Sequence, residues 1–191
     1  LNFPIIWNNN NWSRLWQFNL HYFDWARDSI ELAFLNNSLD QKILLLDNLI
    51  DQWIEGNPPG VGDGWHSYTL SLRIRNWIFI FRTFPNMVNS YRLKSLWLQV
   101  YWLYKHPEIC HGGNHWIENL TALIIGSSQF NNKNENKIYL KSIKLLKNAL
   151  HEQILNDGGH EERSAAYHIL ILDRLVELGW IIQSIKKERP I

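Results

Sequence analysis

Three side chains in the stretch HGGNHWIEN (His111–Asn119) have the types and spacing for proton chemistry. Gly112 and Gly113 break the chain, and Asn114, His115 and Glu118 follow at once, ahead of an apolar run from Leu120 to Ile125. A helix starting near Asn114 sets Asn114 and Glu118 at i,i+4, and His115 and Glu118 at i,i+3, so all three lie near one face of its start. An amide, an imidazole and a carboxylate grouped this way can neutralise charge, take a proton and orient its acceptor. The plainer alternative is an Asn114 N-cap beside a hydrogen-bonded surface histidine.

A second cluster mirrors the first. Asp157-Gly158-Gly159 opens EERSAAYH (Glu161–His168), again ahead of an apolar helix. Helical spacing puts Tyr167 at i,i+4 from Arg163 and i,i+3 from Ser164. A cation beside a phenol lowers its pKa from the ordinary ~10, which suits it to acid or base work. Otherwise Tyr167 is a partly buried tyrosine with its hydroxyl bonded.

A third cluster joins GDGWHSY to RIRNW (Gly62–Tyr68, Arg73–Trp77). Trp65 and His66 leave a loop, and Arg73, Arg75 and Asn76 follow it on the next helix. Arginine suits bidentate binding of carboxylate or sulfate, against the alternative of charges on a solvated face. A fourth, FNLHYFDW (Phe18–Trp25), mixes Asn19, His21, Tyr22 and Asp24 with apolar residues and reads as a core helix with polar edges.

The elements that must position these groups are helices. Apolar residues recur at helical spacing over Trp16–Leu35, Gln41–Ile54, Ser67–Phe84, Ser90–Lys105, Asn114–Phe130, Lys137–Ile154 and Glu161–Ile185. Ser38 or Asp40 could cap the second. Glu55–Trp65 holds four Gly and two Pro and reads as a loop, and the polar Asn131–Asn136 run reads as a turn. No segment alternates convincingly with the period of a strand. About seven helices with short connections predict an all-α array of antiparallel helical hairpins.

Composition narrows the function classes. At 191 residues, with 46% hydrophobic and 19% charged residues, the chain is globular: one domain, or a large part of a bigger one. A net charge of +1, with only Lys186–Arg189 as a basic cluster, leaves no nucleic-acid footprint. No run approaches the ~20 apolar residues of a membrane span. No signal peptide is visible, and the chain begins at Leu1, so the N-terminus is expected to be missing and localisation is unassigned. The single Cys110 excludes an intrachain disulfide and reads as a small buried residue. GxSxG, P-loop and GxGxxG motifs are absent, HEQIL at His151 lacks the second histidine of HExxH, and HPEICH (His106, Cys110, His111) fits no standard metal spacing. No metal or cofactor is expected. With 11 Trp, 7 Tyr and 8 Phe, most aromatics must be core, yet some remain to line a sugar groove.

The stretches WQFNLHYFDW, GWHSYTLSLRIRNWI, GGNHWIENLTALIIG and LNDGGHEERSAAYH, in this order from about Trp16 to Leu178, resemble the N-terminal helical region of heparinase II/III-like polysaccharide lyases, a family that also includes some alginate lyases. The resemblance implies an incomplete (α/α) toroid over residues 1–191, a fragment lacking the family's C-terminal β-sandwich and the further histidine that domain supplies in several members. It implies an acidic, uronate-containing polysaccharide as the partner, a glycosaminoglycan or alginate, and a periplasmic or secreted location. The family reaction is β-elimination: a base removes the C5 proton, the enolate-like charge is stabilised, and an acid protonates the departing O4. By the resemblance, Asn114 neutralises the substrate carboxylate, His115 is the base of some members, Glu118 is a carboxylate implicated in some, and Tyr167 is the acid, or both base and acid. Arg163 and His168 flank it. Trp65, His66, Arg73, Arg75 and Asn76 are weaker candidates for substrate contact.

Two rival readings stand beside this. One is an inverting glycoside hydrolase on a similar scaffold, pairing Asp63 with Glu118 or Glu161 across ~6.5–9.5 Å. The other is a non-catalytic glycan-binding domain.

Overall fold

The computed structural model describes residues 5–9, 11–108 and 113–188. Among them are eight α-helices, two short 3-10 turns and no strand beyond an isolated antiparallel bridge between Ile154 and His160. The all-α expectation holds. None of the described helices is long and apolar enough to cross a membrane. The chain divides into two compact units, Leu1–Trp102 and Leu103–Ile191.

The first unit contains α1 (Arg14–Tyr22), α2 (Asp24–Leu35), α3 (Leu39–Gly56), α4 (Ser67–Thr83) and most of α5 (Ser90–Lys105). Ser13 caps α1 through a bond from Trp16 N to its Oγ, 3.3 Å. Trp16–Leu35 reads in sequence as one helix, but the chain breaks at Phe23, where φ is 64°. The reason is tertiary. Phe23 is wholly buried, with its ring 5.0 Å from Trp25, 5.6 Å from Trp77 and 5.7 Å from Trp7. Burying a phenylalanine contributes roughly 1.5–3 kcal/mol, which offsets the roughly 1–2 kcal/mol cost of a left-handed residue. Trp53 and Trp77 meet edge to face at 5.4 Å in the same aromatic core. Gly60 (φ 77°) lets the loop after α3 press on that core, because a Cβ there would lie 2.4 Å from the Trp102 ring.

The second unit contains α6 (Gly113–Ser127), α7 (Lys133–Gln153) and α8 (Ala165–Glu188). α6 is buried continuously from Ile117 to Ser127 and packs against both α7 and α8. A short turn joins α6 to α7, so these two form an antiparallel hairpin. α7 begins four residues earlier than its periodicity suggests, and its first turn is closed by Asn132 Nδ2 donating to Glu135 Oε1 at 3.2 Å.

α8 begins at Ala165 rather than Glu161. The preceding residues form a turn in which Leu155 N donates to Gly159 O (2.8 Å), Glu161 N to Gln153 O (2.8 Å) and Arg163 N to His160 O (2.9 Å). Arg163 takes a left-handed φ of 51°, so it is not on the helix and the expected i,i+4 relation to Tyr167 is not realised. Ser164 caps instead, its Oγ accepting from Tyr167 N at 3.4 Å.

Candidate functional site

The start of α6 follows from Gly113, whose left-handed φ of 52° turns the chain into the helix. Asn114 is the next residue, 8% exposed, and its backbone N donates to Glu162 Oε1 at 3.1 Å. A carboxylate at a helix N-terminus satisfies a free N–H and the positive end of the helix dipole together. Glu162 belongs to the turn before α8. Its own N donates to His160 Nδ1 at 3.3 Å, and His160 Nε2 lies 3.1 Å from Gln153 Oε1. With Nδ1 accepting, the ring hydrogen sits on Nε2 and faces Gln153.

His115 is partly exposed, its side chain 38% accessible, and its Nδ1 lies 3.5 Å from Glu108 Oε2. Bonding to Glu108 holds the imidazole pKa above its ordinary value against the opposing effect of partial burial, with the charges of Glu108, Glu118 and Glu162 adding to the rise. Glu118 has no exposed surface, and its Oε1 pairs with Arg174 Nε of α8 at 2.5 Å. Arg174 reaches back to Asp173 as well, at 2.7 Å.

These contacts orient two helices. Glu162, before α8, meets Asn114, and Arg174, further along α8, meets Glu118. α6 and α8 therefore start at the same end and run in the same direction. Tyr167 precedes Arg174 by two turns, about 10 Å of helix rise. It thus belongs to the end of the unit that carries Asn114 and His115, and it is 42% exposed. Arg163 and His168 line a shallow cavity of about 570 Å³ with Asp157, Gly159, His160 and Ser164. The two clusters and their helices meet through the Asn114–Glu162 bond and the Glu118–Arg174 pair, while the cavity beside Arg163 and His168 is lined by neither Asn114, His115 nor Tyr167. Glu118 is a buried support and not a surface group.

The arginine-rich run of the first unit reads in sequence as a substrate-facing strip, but its side chains are interior. Trp65 is 5% exposed and donates its Nε1–H to Asn57 O at 3.1 Å. Arg73 has no exposed surface. Its Nε donates to Gln99 Oε1 (2.8 Å), its Nη1 to His21 O (3.2 Å), and its guanidinium stacks 3.7 Å from the Trp53 ring. Burial pushes its pKa well below the ordinary arginine value. Asn76 Nδ2 donates to Tyr22 O (2.8 Å) and Asp24 Oδ1 (2.7 Å), and Arg75 is also buried. Of the five candidates Trp65, His66, Arg73, Arg75 and Asn76, His66 alone keeps access to solvent, partly exposed at the start of α4 with its ring 5.4 Å from Phe18. His21, from the fourth cluster, is fully buried and accepts from Trp53 Nε1 at 3.0 Å. Burial, then the charge of Arg73, lowers its pKa to about 3.

Of the three carboxylates of the hydrolase reading, Glu161 is exposed, and the other two are engaged by arginines. Asp63 takes Arg14 in a fork at 2.9–3.2 Å, and Glu118 takes Arg174. Cys110, His111, Gly112 and Arg189 lie outside the described residues. Among the described residues no group of three or more His, Cys, Asp or Glu side chains could hold a metal ion.

Sequence reasoning missed Glu108, Glu162 and Arg174. Glu162 stood inside the quoted EERSAAYH motif, and the signal that could have found it is the glycine pair of each cluster, which demands a carboxylate or cap for the exposed helix start. Arg174 is a single cation inside an apolar helix stripe, which only a buried acid on a neighbouring helix explains.

The four motifs and the contacts around the α6 start stand with one further finding. A family model described as heparinase II/III N-terminus matches residues 3–189. No curated protein and no solved structure matches the chain. A match over nearly the whole length decides membership: this chain belongs to the heparinase II/III N-terminal family.

Proposed function

We propose that the chain supplies the helical wall of a lyase site that cleaves uronate-containing polysaccharide by β-elimination. The family supports a relation to polysaccharide lyases. One observation carries the reading further: the 3.1 Å bond from Asn114 N to Glu162 Oε1 ties the Asn114–His115 helix start to the turn that leads into Tyr167. On this reading an amide, an imidazole and an exposed phenol act together at one end of the unit.

The roles follow from the chemistry. The C5 hydrogen of a uronate is a weak acid, and removing it puts a second negative charge beside the carboxylate. The Asn114 side chain hydrogen-bonds that carboxylate and lowers the barrier by stabilising the enolate-like charge. His115 and Tyr167 divide the proton transfers, one taking the C5 proton and the other delivering a proton to the departing O4. An imidazole and a phenol are both groups that general acid–base catalysis uses when they are positioned at the reacting atoms. Glu118 and Arg174 act beneath them as a support. Arg163 and His168 offer contacts for a further carboxylate or sulfate along the chain of sugars.

Product analysis tests this. Elimination leaves a double bond conjugated with the carboxylate, which absorbs ultraviolet light, and adds no water. Hydrolysis adds one water per cut and leaves no such chromophore. Incubating the intact protein with alginate, heparan sulfate and chondroitin sulfate is expected to yield unsaturated uronate ends from one of them. Saturated ends carrying added water would replace the lyase reading with hydrolysis, and binding without turnover would replace it with a glycan-binding role.

A further inference from the structure

Two residues near the site have no role in the elimination as described: Glu108, which precedes α6, and Asn119, the last residue of the HGGNHWIEN motif. We infer that Glu108 is a positioning residue that holds the Nδ1–H of His115 and leaves Nε2 as the ring nitrogen presented to substrate, with Asn119 fixing Glu108 in place. The inference deepens the lyase reading and rests on the role given there to His115.

The geometry is a short chain of contacts. Asn119 is fully buried, and its Oδ1 accepts from Glu108 N at 2.8 Å. His115 and Asn119 are i,i+4 on α6, so they share a face, and Glu108 lies against that face. The Glu108 side chain is 10% exposed, with Oε2 3.5 Å from His115 Nδ1. An ionised carboxylate only accepts, so the nitrogen turned toward it carries the hydrogen and the lone pair of neutral His115 is on Nε2. At 3.5 Å the contact is longer than a tight hydrogen bond, and it becomes an ion pair when the ring is protonated. Catalytic contacts of this kind shorten when substrate binds.

Other charged groups surround His115 but are held elsewhere. Glu118, on the same helix, is paired with Arg174 of α8. Glu162, from the turn before α8, accepts from Asn114 N. Both raise the proton affinity of His115 through their charge, and Glu108, the nearest, does so most. Glu108 thus has two effects: it selects which ring nitrogen is the base, and it strengthens that base.

Nitrogen-15 NMR of His115 in the intact protein, without substrate, tests the inference. In the wild type the neutral ring is expected as the Nδ1–H tautomer, titrating above the ordinary histidine midpoint. Glu108→Gln keeps the size and the backbone bond to Asn119 but removes the charge, and is expected to shift the midpoint downward. Glu108→Ala is expected to lose the tautomer preference, and Glu108→Asp to restore the midpoint at least in part. If elimination is measured, the acid limb of its pH profile moves with the NMR midpoint in Glu108→Gln. An unchanged midpoint and tautomer in Glu108→Gln and Glu108→Ala would overturn the inference. Because the NMR reading needs no turnover, a protein that eliminates nothing would contradict the lyase reading alone, and the Glu108–His115 coupling would still be decided.

Discussion

Glu118 and Arg174 meet where water does not reach the carboxylate: Glu118 is wholly buried and the Arg174 side chain is 17% exposed. A buried charge stripped of its partner is costly, on the order of 3–5 kcal/mol. Arg174→Met is therefore expected to lower the unfolding free energy measured in urea by an amount in that range. Adding Glu118→Gln, which removes the stranded charge, is expected to recover much of the loss. If Arg174→Met alone were as stable as the wild type, the ion pair would not be a support of α6 against α8. The neighbouring Asn114 behaves differently. Its backbone, not its side chain, makes the bond to Glu162. Asn114→Ala is thus expected to keep the fold and lower kcat more than it raises KM, read from steady-state kinetics on the cleaved polymer. A collapse in stability instead would return Asn114 to a purely structural role.

At the scale of the element, the α6 start depends on Gly113. A Cβ there would sit 2.4 Å from Glu162 Oε1, and the φ of 52° is itself unfavourable for any side chain. Gly113→Ala is expected to cost about 1–2 kcal/mol, and to push Glu162 off Asn114 N, with a fall in elimination larger than the stability loss explains. Thermal unfolding and turnover on the same sample check both parts. Much at this scale was legible in sequence. The apolar spacing of Ser90–Lys105 delivers α5 to the residue, and the glycine pair delivers the α6 start to within one residue. The break at Phe23 and the late start of α8 were not legible. Each depends on a left-handed non-glycine residue, Phe23 or Arg163, held by distant packing or by a turn's own hydrogen bonds rather than by local propensity.

At the scale of the molecule, the two units use their polar residues in different ways. In the first unit, RIRNW looks like an exposed strip, because arginine and asparagine are usually at the surface. Packing of Trp53, Gln99 and α1 around α4 encloses it, and spacing alone cannot register that. His21 shares this interior and gives the unit a pH signature. Its folded pKa of about 3 lies below the ordinary 6.5, so protonation favours the unfolded chain. Its stabilising contribution is full above about pH 6.5 and is lost as pH falls toward 3. The unfolding free energy measured in urea is expected to decline between pH 6.5 and 4.5, at most about 1.4 kcal/mol per pH unit from this group. His21→Gln is expected to flatten that slope even if it is less stable at neutral pH, and an equal slope in both proteins would contradict the account. In the second unit the two glycine-opened clusters meet through the bond from Asn114 N to Glu162 Oε1. α8 also leaves Ile169, Leu172, Val176 and Trp180 exposed, up to 75% at Trp180.

The central claim, that the two clusters form one proton-transferring site, is tested most directly at Tyr167. Tyr167→Phe removes one hydroxyl from a residue that is 42% exposed, so the fold is expected to survive unchanged by thermal unfolding. Formation of unsaturated uronate by the intact protein is expected to fall by about 10²–10⁴-fold, the usual contribution of a positioned acid or base. Wild-type turnover in Tyr167→Phe would contradict the account.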